Sequence, residues 1–112
     1  MNRDKTIIEH IIVHASKICG KMEKVALKEF LEDEDLKDII CFNFLQIGEL
    51  AKLASIELQN KLKEIDWSGY AKFRDKIAHG YDSLKYEMIY NYCFSDIPIL
   101  LKSCMLYIES LK

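Results

Sequence analysis

The sequence predicts a single all-α domain, folded as an antiparallel bundle of about four or five helices. Apolar residues recur at steps of three and four along most of the chain, only one proline and four glycines interrupt this pattern, and no β-hairpin dipeptide is present. A chain of 112 residues buries one core and leaves no room for a second. We therefore assign residues 1–112 to one domain.

The first predicted helix has an apolar face that extends over about five turns. Gly20 predicts the end of this helix, because glycine is common just past a helix C-terminus. The residues of the apolar face are Ile7, Ile8, Ile11, Ile12, Ala15, Ile18, Cys19 and Met22.

The second long helix is predicted to begin within the acidic run at residues 32–35, because carboxylates stabilise the positive N-terminal end of a helix. Its apolar pattern continues to about Ser55. Gly48 lies inside it, at a cost of about 1 kcal/mol relative to alanine. This glycine predicts a close crossing with another helix.

Two further helices are predicted in the middle of the chain. The first is short and covers residues 56–62. The second follows Asp66, which together with Ser68 supplies capping side chains around Trp67. Gly80 predicts its end.

The final helix is predicted to begin at Leu84 or Lys85 and to reach almost to residue 112. Pro98 interrupts its apolar pattern. A proline inside a helix kinks it, unless Ser95 or Asp96 caps a new helix that has Pro98 in its first turn. Both arrangements predict two stacked helical segments.

Charge and hydropathy exclude several classes of protein. Sixteen Lys and Arg residues against 18 Asp and Glu residues give a net charge of −2, which argues against a protein that coats nucleic acid or anionic membranes. The longest apolar stretches, such as residues 97–101, are far shorter than the roughly 18 residues of a membrane span. Residues 1–5 are charged and do not resemble a signal peptide. We expect a cytoplasmic protein that does not bind membranes.

The cysteine and histidine spacings give little indication of a metal site. No two of the four cysteines form a C-x-x-C pair, and all have apolar neighbours, so we expect them to pack in the core. His10 and His14 lie four residues apart and share one helix face. Two ligands do not complete a zinc site, so we predict no metal and keep a metal-binding helical protein as the weakest hypothesis.

Residues 67–92 differ from the rest of the chain in composition. They contain the only tryptophan, His79 and five of the six tyrosines. Within them, residues 72–85 have a local excess of positive charge, which predicts a small phosphate-binding site. The charged residues of this part are Lys72, Arg74, Lys76 and Lys85, opposed by Asp75 and Asp82.

Three side chains in this segment have the chemistry of a nuclease. Arg74 offers a bidentate fork for a phosphodiester, His79 can transfer a proton near neutral pH, and the Tyr81 hydroxyl can donate a hydrogen bond or be modified. These groups converge if the helix ends near Ala78. The structural alternative is that Arg74 pairs with an acidic helix, His79 belongs to the helix cap and Tyr81 packs in the core.

Four motifs resemble the HepT toxins, a branch of the HEPN superfamily of small helical ribonucleases. Residues 74–81 match the R-x4-H-x-Y signature of that family. Residues 46–51 resemble its I-G-E-A segment, residues 65–67 its I-P-W turn, and residues 96–100 its D-L-P-x-L segment.

The resemblance implies a metal-independent endoribonuclease toxin that needs no cofactor. It implies a HEPN-like homodimer whose two R-x4-H-x-Y segments form one composite site, with Arg74 and His79 as catalytic residues. The charged residues beside them add Lys72, Asp75 and Lys76 as expected RNA-binding or supporting residues. The implied partners are RNA and a minimal nucleotidyltransferase antitoxin, which neutralises the toxin by transferring AMP to Tyr81.

Two positions depart from the family pattern. Asp66 replaces the proline before Trp67, and the residue at position 75 keeps a second hypothesis open. Asp75 stands where the family usually has asparagine, and an acid beside Arg74 can neutralise its charge. This feature favours the alternative of a noncatalytic helical binding partner of a nucleotidyltransferase.

Overall fold

A computed structural model describes residues 2–80 and 84–112, and within these ranges the chain forms six helices and no strand. The all-α prediction is confirmed. The helix count exceeds the predicted four or five, because the segment around the buried side chain of Phe30 forms a helix of its own. The helices are α1 (Asn2–Met22), α2 (Leu27–Glu32), α3 (Glu34–Leu53), α4 (Ile56–Lys61), α5 (Trp67–His79) and α6 (Tyr86–Ser110).

Helix α3 is the centre of the bundle. It packs against α1 on one side and against α5 on the other, while α6 packs against α1. Helix α2 contacts both α3 and α6. The largest side chains that this arrangement buries completely include Phe30, Phe44, Ile8, Ile11, Ile18, Met22, Ile40, Ile47, Leu58, Ile77, Ile89 and Ile97.

The predicted start of α3 is confirmed in detail. Asp33 is its N-cap residue, and the side-chain oxygen Oδ1 accepts a hydrogen bond from the backbone N–H of Leu36 at 3.0 Å. Glu34 and Asp35 occupy the first turn, where their negative charges stabilise the helix dipole.

The predicted end of α1 at Gly20 is wrong. The helix continues to Met22, whose side chain is buried in the core, and Gly20 lies on the exposed side of the helix. The chain turns instead at Lys24, which has a positive φ of 62°. Burial of Met22 thus outweighs the preference of glycine for a helix end.

The predicted division of the last helix at Pro98 is also wrong, because α6 is continuous from Tyr86 to Ser110. Pro98 and Phe94 are exposed, so water can solvate the carbonyl group that the proline leaves without its helical donor. Ile97 and Leu100 on either side of Pro98 are buried in the same core. Their burial holds both halves of α6 in one helix.

Cys93 and Cys104 are buried, whereas Cys19 and Cys41 are half-buried. Burial raises the pKa of the Cys93 and Cys104 thiols to about 12, so both remain protonated at neutral pH. Cys93 and Cys104 belong to the core, as predicted, and Cys19 and Cys41 pack against it. In the ranges that the structure describes, no helix has the length and apolar character needed to cross a membrane.

Candidate functional site

Helix α5 presents most of the residues that the sequence predicts for the site. Asp66 caps its start, because the side-chain oxygen Oδ1 accepts a hydrogen bond from the backbone N–H of Gly69 at 3.0 Å. The indole of Trp67 donates to the carbonyl of Leu62 at 3.1 Å and ties the helix start to the preceding turn. The helix ends at His79, and the backbone N–H of Gly80 donates a hydrogen bond to the backbone carbonyl of Lys76 at 2.8 Å. The predicted extent of this helix is confirmed to within one residue.

Gly48 allows α3 and α5 to cross closely, as its position in the sequence predicts. A Cβ atom added at Gly48 would overlap the Cβ of Arg74 and would lie 2.7 Å from the backbone oxygen of Tyr70. The missing side chain therefore makes room for Arg74. It also brings Glu49, the next residue of α3, beside the guanidinium group.

We expect Gly48→Ala to destabilise the protein. Overpacking costs about 1–3 kcal/mol, and neither the Arg74 Cβ nor the backbone oxygen of Tyr70 can rotate away, so the cost exceeds the gain of about 1 kcal/mol in helix propensity. Urea denaturation measures the change in the free energy of unfolding. The matched control is Gly20→Ala, where a Cβ meets nothing within 4 Å and a small stabilisation is expected. Equal effects of the two substitutions would contradict the close crossing.

Four charged side chains meet at this crossing, and we refer to Glu49, Lys52, Arg74 and Asp75 as the Arg74 cluster. The Nε atom of Arg74 lies 2.6 Å from Oε1 of Glu49, and its Nη1 atom lies 3.2 Å from Oδ1 of Asp75. The same Asp75 oxygen accepts a hydrogen bond from Lys52 Nζ at 2.6 Å. The two positive and two negative charges balance each other.

The contact between Arg74 and Glu49 is an ion pair without an aligned hydrogen bond. Nε of Arg74 is buried and has no hydrogen-bond partner of acceptable geometry, although a carboxylate oxygen is only 2.6 Å away. We regard the short distance as evidence of charge pairing, because Coulomb attraction does not require the N–H to point at the oxygen. One alternative from the sequence is that Arg74 forms an ion pair with an acidic residue of another helix. The structure shows this ion pair, and the acidic residue is Glu49 of α3.

Asp75 is bound mainly by Lys52 and less by Arg74. The pKa of the Asp75 carboxyl is lowered, chiefly by the hydrogen bond from Lys52 and then by the one from Arg74. Asp75 therefore neutralises Arg74 only in part. The Arg74 side chain is 27% exposed, and neither of its described contacts with Glu49 and Asp75 uses the Nη2 atom.

His79 and the two predicted RNA-binding lysines form a separate group on α5, the basic face (Lys72, Lys76 and His79). Their spacing of four and three residues places all three on one side of the helix, and all are exposed. At 100° per residue, His79 lies about 140° around the axis from Arg74. In residues 2–80 and 84–112, no hydrogen bond or ion pair joins Arg74 to His79. The two side chains therefore project from different sides of α5.

Glu49 and Lys52 are not among the site residues predicted from the sequence. The sequence could have indicated a role for Glu49, because this residue is the glutamate of the segment that resembles the I-G-E-A motif. Tyr81, the predicted site of modification, lies outside the residues that the structure describes.

The two histidines of α1 have different surroundings. Nδ1 of His14 lies 2.8 Å from Oδ1 of Asn43, a residue of α3 that is only 3% exposed, while His10 is exposed. The amide of Asn43 also donates to the carbonyl of Ile39 at 2.8 Å. The hydrogen bond between His14 and Asn43 therefore joins α1 to α3. Among the described residues, no three His, Cys, Asp or Glu side chains are placed to share a metal ion.

Comparison with known proteins identifies the family. The model of the family described as "Ribonuclease HepT-like" matches residues 8–106. The chain belongs to the HepT-like ribonuclease family, and the six helices of its described residues are consistent with the HEPN-like fold.

Two curated relatives are similar to this chain over most of their length. The protein named "Putative RNase MJ0127" of Methanocaldococcus jannaschii is 26% identical over 94 residues, which cover 84% of this chain and 78% of the relative. The protein named "Putative RNase TTE0752" of Caldanaerobacter subterraneus subsp. tengcongensis is 26% identical over 102 residues, or 91% of each chain. No solved structure shows significant similarity to the chain.

Proposed function

We propose that this protein is a cytoplasmic endoribonuclease toxin of a HepT and minimal-nucleotidyltransferase toxin–antitoxin system. It cleaves RNA without a metal ion, at a site that two copies of the chain complete. Membership of the HepT-like ribonuclease family supports an RNA substrate. The observation that most favours a composite site is the separation of the basic face from Arg74 on α5.

The chemistry follows from the residues of α5. The RNA 2′-hydroxyl attacks the adjacent phosphorus, so one group must accept its proton and another must protonate the leaving 5′-oxygen. Each chain has one histidine in this segment, and two chains supply both the base and the acid. Nη2 of Arg74 is available to bind the phosphate charge, while Lys72 and Lys76 contact the neighbouring RNA backbone.

The exposed side of α3 supports pairing with a second copy. Ile39, Phe42 and Leu53 are 38%, 53% and 50% exposed, although all three are large and apolar. With Gln46 and Glu49 they repeat at steps of three and four, so they form one stripe along α3, which we call the outer stripe. The stripe contains Glu49 of the Arg74 cluster. A second copy packed on it therefore brings two Arg74 clusters together.

RNA cleavage with and without a chelator tests the proposal. We expect purified protein to cut a labelled single-stranded oligoribonucleotide equally well in both conditions. The alternative hypothesis is a noncatalytic protein that binds a nucleotidyltransferase, and the charge balance of the Arg74 cluster favours it. Such a protein cuts the RNA neither with nor without chelator. A metal enzyme cuts only without chelator. Either of the last two results overturns the proposal.

Asp75→Asn is expected to leave RNA cleavage equal or higher. Asparagine keeps the shape of the side chain and removes the charge that attracts Nη1 of Arg74 at 3.2 Å. The measurement is the initial cleavage rate at equal protein concentration. A large loss of rate, with an unchanged circular dichroism spectrum, would show that Asp75 assists Arg74 and does not restrain it.

Tyr81 is the proposed target of the antitoxin. It follows His79 by two residues, and its phenol oxygen receives AMP from ATP with release of pyrophosphate. The attached phosphodiester adds about one negative charge, which competes with RNA for Arg74. Co-expression with the cognate nucleotidyltransferase is expected to add adenylate mass to the peptide that contains Tyr81 and to reduce toxicity. Tyr81→Phe should show neither effect, and modification of Tyr86 or Tyr90 instead would contradict the assignment.

A further inference from the structure

A cavity of about 200 Å³ lies between α5 and α6, apart from both the Arg74 cluster and the basic face. It adjoins a second cavity of about 150 Å³, since the two share Asp66, Tyr70 and Asp96 as lining residues. Together they lie near the lower end of the range of roughly 300–1,000 Å³ for ligand pockets and suit a group of side-chain size. We call this pair of spaces the α5–α6 cavity.

The inner wall of the α5–α6 cavity is aromatic. Phe44, Phe73 and Tyr92 line it together with Tyr70. The ring of Phe73 packs edge-on against Phe44 at 5.3 Å and against Tyr92 at 5.5 Å, with interplanar angles of 89° and 85°. This packing holds the rings in fixed orientations. Aromatic faces of this kind attract cations through their quadrupole.

The mouth of the α5–α6 cavity is acidic. Asp66 and Asp96 are both exposed lining residues, and Glu64 lines the adjoining part. Asp66 uses Oδ1 for its helix cap and Asp96 accepts from Ser95 through Oδ1, so no described hydrogen bond uses either Oδ2 atom. Burial and these two carboxylates raise the pKa of the Tyr70 phenol, which therefore stays neutral and adds no charge of its own.

The adjoining part of the cavity is apolar on its remaining sides. Ile65, Ile99 and Leu100 line it, and Ile99 is largely exposed. Lysine and arginine side chains, and alkyl amines, bury apolar stems beside such surfaces while their charged ends contact polar groups. The cavity is therefore complementary to an organic cation. The aromatic wall and the two carboxylates fit its charged group, and the apolar channel fits its stem.

We propose that the α5–α6 cavity binds an organic cation, a guanidinium or primary ammonium group on an apolar stem. The charged end lies between Asp66 and Asp96 against the aromatic rings, and the stem follows Ile65 and Ile99. Such a group can belong to a small amine or to an arginine or lysine side chain of a protein. The inference does not depend on the proposed ribonuclease activity.

Titration with methylguanidinium chloride, followed by NMR of the aromatic side chains, tests this site. We expect saturable shifts of the Tyr70, Phe73 and Tyr92 ring signals. Urea, which resembles the guanidinium group of the probe in shape but has no charge, should cause no saturable shift at equal concentration. Sodium chloride at matched ionic strength separates specific binding from general charge screening.

Isosteric variants identify the groups that bind the cation. Asp96→Asn and Asp66→Asn should each weaken binding about tenfold, which corresponds to 1.4 kcal/mol, and asparagine still caps α5. The control is Glu32→Gln, at the exposed C-terminal residue of α2, which should leave the affinity unchanged. Equal binding of urea, or equal affinity of the Asp96→Asn and wild-type proteins, would overturn the proposal.

A second titration distinguishes the two sources of the cation. Spermidine represents small amines, and a blocked Gly-Arg-Gly peptide represents a protein side chain. Stronger binding of spermidine that depends on Asp96 supports a small-molecule ligand, whereas stronger binding of the peptide supports a protein partner. Absence of any Asp96-dependent binding of either probe counts against the site.

Discussion

His79→Ala is expected to reduce RNA cleavage by about 10²- to 10⁴-fold, because it removes the proposed proton-transfer group. His79 is exposed at the last residue of α5, so the substitution removes no core packing. The folded state should therefore be unchanged in thermal unfolding and circular dichroism. Single-turnover cleavage of a labelled oligoribonucleotide measures the effect. Cleavage within a factor of a few of wild type would remove His79 from the mechanism.

Mixed dimers provide a sharper version of this test. If one site needs both histidines, a dimer of one wild-type and one His79→Ala chain is as inactive as the double variant. Two different affinity tags allow this mixed dimer to be purified from co-expressed chains. Half of the wild-type activity in the mixed dimer would instead show that each chain carries a complete site.

The long helices are predictable from the sequence because each buries one continuous apolar face. The errors occur where local preference and tertiary burial disagree. Gly20 favours a helix end, but the next buried residue, Met22, extends α1 beyond it. Pro98 favours a break, but the buried Ile97 and Leu100 keep α6 continuous. The helix-end preferences of glycine and proline are local, so they do not include the free energy gained when a side chain several residues away is buried.

The candidate site is predictable only in part, for a similar reason. The motif around Arg74 and His79 is contiguous in sequence and can be recognised there. Of the two partners of Arg74, Asp75 is its neighbour on α5 but Glu49 lies on α3, and the hydrogen bond from Lys52 to Asp75 spans 23 residues of sequence. Gly48 predicts that α3 crosses some helix closely, but only the fold specifies that the helix is α5 and that Arg74 lies at the crossing.

Phe42→Asp is expected to convert the protein to a monomer and to abolish RNA cleavage. Phe42 lies on the outer stripe of α3 and is 53% exposed, so it contributes little to the core of one chain. In the proposed dimer the same side chain is buried, and an isolated carboxylate there costs several kcal/mol without a partner. Analytical ultracentrifugation at micromolar concentration measures the oligomeric state, and the oligonucleotide assay measures activity on the same sample.

The matched control is Phe94→Asp, which introduces the same charge at an aromatic residue of α6 that is 46% exposed and lies off the outer stripe. This variant should remain dimeric and active. Loss of the dimer in both variants would show that any added charge disrupts association. A dimeric and active Phe42→Asp protein would exclude the outer stripe as the surface that joins the two chains, because a buried carboxylate within it cannot be accommodated without a large loss of affinity.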